Sequence, residues 1–246
     1  MTIDKTSVCP ADLPAYPSLE TLFTFLVNSV KQYSSNDAYI YNAEGTEHRV
    51  TYTRLFEDVL LLARAFRRSG VRAGDKVMVL SENRYAWIVT DLALMSFGGV
   101  NVPRGSDTPT QELEFIVEHS ESCFLVVETD KLLDRHSDFI KGCAQLRSIF
   151  VMTGPAAHST FNNVFFYTEL LSDRSYTQKD IEQFLQEGEK MTPDDLLTII
   201  YTSGTTGMPK GVQLSHANIM HNVQVVPEII RLDQKDNWLS ILPSWH

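Results

Sequence analysis

Cysteine is scarce in this 246-residue chain: Cys9, Cys123 and Cys143 are far apart and make no metal-ligand spacing. An odd, sparse count reads as reduced thiols in an intracellular protein rather than a disulfide framework. Positive charge is also short, with 21 Lys and Arg against 31 Asp and Glu, a formal net charge of −10. Nucleic-acid binding and polybasic membrane anchoring both need a positive field, so the balance argues against them, although one lysine in the right loop is enough for phosphate. The opening residues, MTIDKTSVCPADLP, lack the charged-then-apolar order of a secretory signal. No clean apolar run reaches membrane length. The longest, Tyr85 to Val102, has Asp91 in its middle and Gly98-Gly99 near its end, and reads as a buried core helix. Twelve glycines and ten prolines are too few for a collagen or a low-complexity chain. What is present, 43% hydrophobic and 21% charged residues, suits an ordinary globular protein. A chain of this size buries roughly 70–75% of its unfolded surface and needs no disulfide to hold a core. The expected location is cytoplasmic, with at most peripheral membrane association.

The apolar pattern gives the organisation. Residues 18–31 read as a helix with Leu19, Leu22, Phe23, Leu26 and Val30 on one face and Ser18 as its cap. AYIYN, an EG turn and EHRVTY read as a hairpin. Thr53 is expected to open a second helix carrying Leu55, Val59, Ala63 and Phe66, stopped by Gly70. Short apolar runs at 76–81, 99–103, 123–128 and 148–152 then alternate with helical stretches at 84–97, from a cap at Thr110, and near 131–142. Strands of this length separated by helices imply parallel pairing through right-handed crossovers. The fold class is therefore α/β, with layered, mostly parallel sheets flanked by helices. Residues 153–163 read as a loop and 186–195 as a polar connector.

The chemistry lies in LLTIIYTSGTTGMPKGVQLSHANI, residues 196–219. A buried-type strand, LLTIIY, delivers the chain into Thr202-Ser203-Gly204-Thr205-Thr206-Gly207, where no side chain is larger than threonine. Glycine lets successive N–H groups turn inward as an anion nest, and the hydroxyls add rotatable donors. Lys210 follows with one mobile positive charge, Gly211 releases the chain into VQL, and Ser215 can cap a helix near His216. Close backbone approach, many donors and little bulk are what a polyphosphate needs; an ordinary surface turn would not require the strand before it or the lysine after it. The loop is not a Walker A motif. Counted from Gly204, that pattern ends Gly-Lys-Ser/Thr, whereas this chain has Pro209, Lys210 and Gly211, which disfavours a P-loop phosphotransferase.

YTSGTTGMPKGV resembles the phosphate-loop signature of the adenylate-forming enzymes: acyl-CoA synthetases, luciferases and adenylation domains. About nine near-fixed positions at ~6% usage give a chance match on the order of 10⁻¹¹ per starting point. VTYTRL, GVRAGDKVMVLSENRYAWIVTDLAL and LSHANI are similar to the family's amino-terminal half in the family's order, and LPSWH resembles its LPxxH motif in the long-chain fatty-acid form. GVNVPRGSDT with LPSWH is also similar to fatty acyl-ACP synthetases. The resemblance implies a ligase that joins a long-chain fatty acid to ATP as acyl-AMP and then makes a thioester with coenzyme A or an acyl-carrier protein. It implies that Thr202, Ser203, Gly204, Thr205, Thr206 and Gly207 cradle the β- and γ-phosphates, that Lys210 steadies them, and that His246 lies near the acyl carboxylate. Mg²⁺ is expected with the ATP, assisted by the Thr205 hydroxyl.

The resemblance also implies that residues 1–190 form a first α/β subdomain and 191–246 the start of a second, with the adenine- and ribose-binding residues, the catalytic residues and a carboxy-terminal domain lying beyond His246. On that reading the chain is a fragment, without adenylation activity by itself. A non-catalytic nucleotide-binding module is the alternative of another class. His216 and His221 are five apart, not the i, i+4 of a zinc helix, and read as ordinary polar positions. Trp87 and Trp238 read as core or interface, Met95 and Phe97 as an apolar helix face, and Asp194-Asp195 as a solvated turn.

Overall fold

The computed structural model describes residues 8–154, 161, 163–202, 209–231, 233 and 235–243. A 3-10 turn at Pro10–Asp12 leads into α1 (Leu22–Tyr33), the hairpin β1 (Asp37–Ala43) and β2 (Thr46–Thr51), and α2 (Tyr52–Arg68). Then come β3 (Lys76–Leu80), α3 (Tyr85–Met95), β4 (Val100–Arg104), α4 (Thr110–Ser120) and β5 (Phe124–Thr129). They are followed by α5 (Asp130–Arg135), α6 (Ser137–Gly142), β6 (Ser148–Thr153), β7 (Val164–Phe166), α7 (Tyr167–Leu170) and α8 (Gln178–Gly188). β8 (Leu196–Thr202), β9 (Lys210–Ser215) and α9 (His216–Ile229) complete the order.

β1 and β2 pair only with each other, antiparallel; the other strands form one seven-stranded sheet in the order β7-β6-β5-β3-β4-β8-β9. Every pairing in that sheet is parallel except β8 with β9. The α/β class with mostly parallel strands is therefore observed. The alternation of side chains along each strand divides the core in two. Val77, Val79, Phe124, Val126, Phe150 and Met152 face α1, α2, α3 and α8, whose buried residues include Phe23, Phe56, Phe66 and Phe184. Met78, Leu80, Leu125, Val127, Ile149 and Val151 face the other way, against Leu113, Ile116 and Val117 of α4 and Leu132 of α5. Phe66 meets Phe150 edge-on with ring centroids 4.8 Å apart, tying α2 to β6.

Several expected boundaries move. Ser18 does not cap α1: Thr21 does, its hydroxyl accepting from Thr24 N at 3.2 Å in a capping box whose third position is threonine rather than Glu or Gln. Thr53 does not cap α2, because β2 ends at Thr51 and that residue takes the cap; the Thr53 hydroxyl instead donates to Ser34 O at 2.9 Å. Gly70 does follow the end of α2, at φ +97°. Thr110 is the first residue of α4 and not its cap, which is Pro109; its hydroxyl bonds His136 Nδ1 at 2.9 Å. The stretch near 131–142 is two short helices broken at buried His136, and residues 186–188 are the end of α8 rather than connector. Trp87 is buried as expected, but Trp238 is 70% exposed and belongs to no core. The apolar stretch 85–102 is α3 followed by β4; Asp91 accepts from Asn101 Nδ2 at 2.7 Å, and burial raises its carboxyl pKa. No helix among the described residues is long and apolar enough to cross a membrane.

His216 is a structural surprise. It is 1% exposed at the first turn of α9, and its Nδ1 accepts the N–H of Leu22, a donor left over at the start of α1, at 3.3 Å. The ring is therefore the neutral Nε2–H tautomer. Burial lowers its pKa, against a smaller opposing effect of the Asp195 charge. With the folded-state pKa below the unfolded value of about 6.5, the folded protein takes up fewer protons. Stability contributed by His216 is complete above that pH and is lost as the pH falls through it. The melting temperature of the wild-type chain should accordingly drop more steeply between pH 7.5 and 5.5 than that of His216→Asn, whose Oδ1 can accept the same bond without titrating. Parallel melting curves would refute the assignment.

Candidate phosphate site at the carboxyl edge of the sheet

β8 runs parallel to β4, so its carboxyl end, Thr202, emerges on the same edge as Leu80, Arg104, Thr129 and Thr153. Open α/β sheets bind ligands at this edge. β9 returns antiparallel with Thr202 paired to Lys210, so the two ends of the segment 203–209 lie side by side. Thr202 and Lys210 are both exposed there. Antiparallel return was not expected from VQL, and it makes β9 the sheet's edge strand. Gly211 is required by this return: a Cβ on it would stand 2.9 Å from Ile199 Cγ2 and 3.1 Å from Tyr201 Cζ. The chain then enters α9 through Ser215, whose hydroxyl caps Asn218 N as anticipated. Of the expected phosphate ligands, Thr202 and Lys210 are brought together. Ser203, Gly204, Thr205, Thr206 and Gly207, and His246, lie outside the described residues.

The root of this segment is tethered by residues the sequence reading missed. Arg104, at the end of β4, donates through Nη1 to Tyr201 O at 3.0 Å and pairs through Nη2 with Glu112 of α4. The Tyr201 ring is 1% exposed, its hydroxyl lies 2.7 Å from His119 Nδ1, and burial raises its pKa. One further charged network spans the same edge. Glu128, ending the apolar part of β5, accepts from Glu82 N at 2.7 Å and Ser81 Oγ at 3.3 Å and pairs with Arg84. Arg84 Nη1 donates to Thr153 Oγ1 at 3.2 Å, and Glu82 Oε1 accepts from Ser106 N and Oγ at 2.9 and 2.6 Å. The loops after β3 and β4 are thus stitched to each other and to the carboxyl ends of β5 and β6, at the point where successive strands lie on opposite sides of β3. A charge standing just past an apolar run, as in VLSENR, NVPR and FLVVE, was the available signal for these residues.

A cavity of about 450 Å³, lined by Arg64, Arg67, Arg72, Phe97, Glu187 and Met191, sits at the amino ends of the strands. Two of its cations are already paired, Arg64 with Asp180 and Arg67 with Glu187. Among the described residues no group of three or more His, Cys, Asp or Glu is placed to hold a metal ion. Asp195 accepts from Thr192 N at 2.6 Å in the turn expected for Asp194-Asp195.

The AMP-binding enzyme family matches residues 26–246. The chain belongs to that family. It is 31% identical over 230 residues to Probable acyl-activating enzyme 16, chloroplastic, of Arabidopsis thaliana, covering 89% of this chain and 31% of that protein. It is 30% identical over 227 residues to the long-chain-fatty-acid–[acyl-carrier-protein] ligase AEE15 of the same plant, with the same two coverages. With the long-chain-fatty-acid–CoA ligase FadD15 of Mycobacterium tuberculosis it shares 28% over 155 residues, 63% of this chain and 24% of the other. The chain thus spans about a third of the length of its curated relatives. Among solved structures, a protein from Rhodopseudomonas palustris assigned as a long-chain-fatty-acid CoA ligase superposes with a TM-score of 0.73 at 20% identity, over 92% of this chain and 52% of that one. That likeness establishes the fold: a mostly parallel sheet flanked by helices, as in the amino-terminal domain of adenylate-forming enzymes.

Proposed function

We propose that this chain supplies the polyphosphate-holding part of an AMP-forming acid–thiol ligase that activates long-chain fatty acids. The observation that carries the reading is the pairing of Thr202 with Lys210 at the carboxyl edge, which sets the two ends of a hydroxyl- and glycine-rich segment side by side. In the first step a fatty carboxylate oxygen bonds the α-phosphorus of ATP and the bond to the bridging oxygen breaks, releasing pyrophosphate. In the second a thiol sulfur bonds the acyl carbon, AMP leaves with the C–O electrons, and the thiol proton passes to solvent. Negative charge builds on the departing pyrophosphate, so donors fixed in advance at residues 202–207 and the Lys210 ammonium accelerate the first step by as much as they hold that charge better in the transition state. Mg²⁺ would arrive with the nucleotide and screen the same oxygens, with Thr205 the assisting hydroxyl. His246 would stand near the acyl carboxylate. The adenine- and ribose-binding residues and the adenylation machinery would come from a longer polypeptide, and the work would be cytoplasmic, with any membrane contact made through the fatty substrate.

Coenzyme A is the proposed thiol. An acyl-carrier protein is the second reading, supported by the 30% identity over 227 residues to the acyl-carrier-protein ligase. Calorimetric titration of the chain with pyrophosphate tests the site itself; absence of binding would overturn it. Fatty-acid-dependent ATP–pyrophosphate exchange by a whole protein carrying this chain tests the reaction, and competition between coenzyme A and a phosphopantetheinylated carrier protein decides the acceptor.

A further inference from the structure

Proline inside a central parallel strand removes a ladder donor, and such positions usually mark something special in a sheet. Pro103 is such a residue. In a parallel pair, successive residues address opposite neighbours. Arg104 O accepts from Ser81 N at 3.0 Å, on the β3 side, so Pro103 addresses β8. Asn101, two residues earlier, addresses β8 as well: it is the recorded β4–β8 partner of Thr198, and its carbonyl accepts the Thr198 hydroxyl at 2.9 Å. The main-chain ladder between β4 and β8 therefore loses a donor at Pro103, just before the carboxyl end of β8. The Arg104 side chain takes over, donating through Nη1 to Tyr201 O, the carbonyl immediately before Thr202. Glu112 on α4 fixes the other arm of the guanidinium, and His119, two turns along the same helix, holds the Tyr201 hydroxyl. The Arg104 side chain is 18% exposed, and its Nε is buried without a partner among the described residues, so this cation is held in place rather than solvated.

We infer that Arg104 is a positioning residue for the phosphate site: it ties β8 to β4 just past the point where Pro103 removes a ladder donor, fixes the direction in which β8 ends, and so sets Thr202 opposite Lys210. This rests on the reading of that pair as flanking a polyphosphate site. A backbone ladder would leave the strand end free to fray by one register; a side-chain bond to one named carbonyl fixes a single geometry. Lysine presents its three donors from a single nitrogen and lacks the fixed planar fork by which two guanidinium nitrogens serve Tyr201 O and Glu112 separately.

The test uses the 246-residue chain with Arg104→Gln, Arg104→Lys and, as control, Arg49→Gln, which removes a solvent-exposed hairpin pair. Two quantities are read: the dissociation constant for inorganic pyrophosphate, and amide hydrogen exchange in peptides covering 196–202 and 209–215. Arg104→Gln should weaken pyrophosphate about tenfold, the size of one charge-assisted bond, and should speed exchange in both peptides. Arg104→Lys should fall between it and wild type, and the control should change neither. Unchanged exchange in Arg104→Gln overturns the tether. Faster exchange with an unchanged dissociation constant overturns its link to phosphate. If wild type does not bind pyrophosphate at all, the phosphate reading and the positioning role fail together while the exchange result still reports on the tether alone. Should Arg104→Gln not fold, Glu112→Gln, which loosens the same guanidinium, gives the same two readouts.

Discussion

Lys210→Ala should weaken pyrophosphate binding by about 10- to 150-fold, the equivalent of roughly 1.5–3 kcal/mol for a hydrogen bond to a charged group. The residue is the first of β9, exposed, and paired across the ladder with Thr202, so its ammonium enters at the mouth of the proposed site without rearranging the sheet. The loss should be largest at low salt and shrink as ionic strength rises, because an exposed charge is screened. Lys210→Arg should retain part of the affinity, keeping the charge but presenting a wider donor fork. Melting temperature should be unchanged, since Lys210 has no buried contact to lose. In a whole ligase carrying this chain, the same substitution should slow adenylation by a comparable factor. Equal pyrophosphate affinity in wild type and Lys210→Ala would remove Lys210 from the site and with it the main argument for phosphate.

How much of this could be read beforehand depended on how local the signal was. The alternation of apolar strands with amphipathic helices is written every few residues, and the parallel sheet follows from it. The segment 202–210 is equally local in composition, but the antiparallel return that sets its flanks, Thr202 and Lys210, opposite each other is a pairing that the motif does not spell out. Cap positions were read less well. Ser18, Thr53 and Thr110 all have capping chemistry, but the cap falls where the preceding extended segment ends, and Thr21, Thr51 and Pro109 hold those places. The tethers were harder still. Arg104 meets Tyr201, His119 meets Tyr201 and His216 meets Leu22 across separations of 97, 82 and 194 residues, which no periodicity reports. His216 was read as an ordinary polar position because its spacing to His221 is wrong for zinc; its burial depends on α9 docking against α1, a tertiary fact.

Glu128→Ala should be the costliest single change at the carboxyl edge, destabilising the fold by about 3 kcal/mol, the lower end of the range for breaking a buried ion pair, since both partners keep some contact with water. The Glu128 and Arg84 side chains are 15% and 29% exposed. The carboxylate takes donors from the Arg84 guanidinium, the Glu82 amide and the Ser81 hydroxyl, so its removal strands the Glu82 amide and one arm of Arg84, while Ser81 keeps its bond to Glu82 O. Arg84 already has a buried Nε without a partner among the described residues, and would be left with only the Thr153 hydroxyl. For a domain of this size the expected fall in melting temperature is about 6–12 °C. Glu128→Gln should recover the bonds to Glu82 and Ser81 but not the charge, and should fall between the two. The double substitution Arg84→Ala with Glu128→Ala should cost less than the sum of the singles, because the orphaned cation goes with its partner. Pyrophosphate affinity separates this network from the phosphate site: β4 lies between β3 and β8, so Glu128→Ala should lower binding far less than Lys210→Ala while lowering stability far more. A Glu128→Ala chain that melts with wild type would show the ion pair to be mere surface decoration, leaving the Glu82–Ser106 bonds as the cross-link between the loops after β3 and β4.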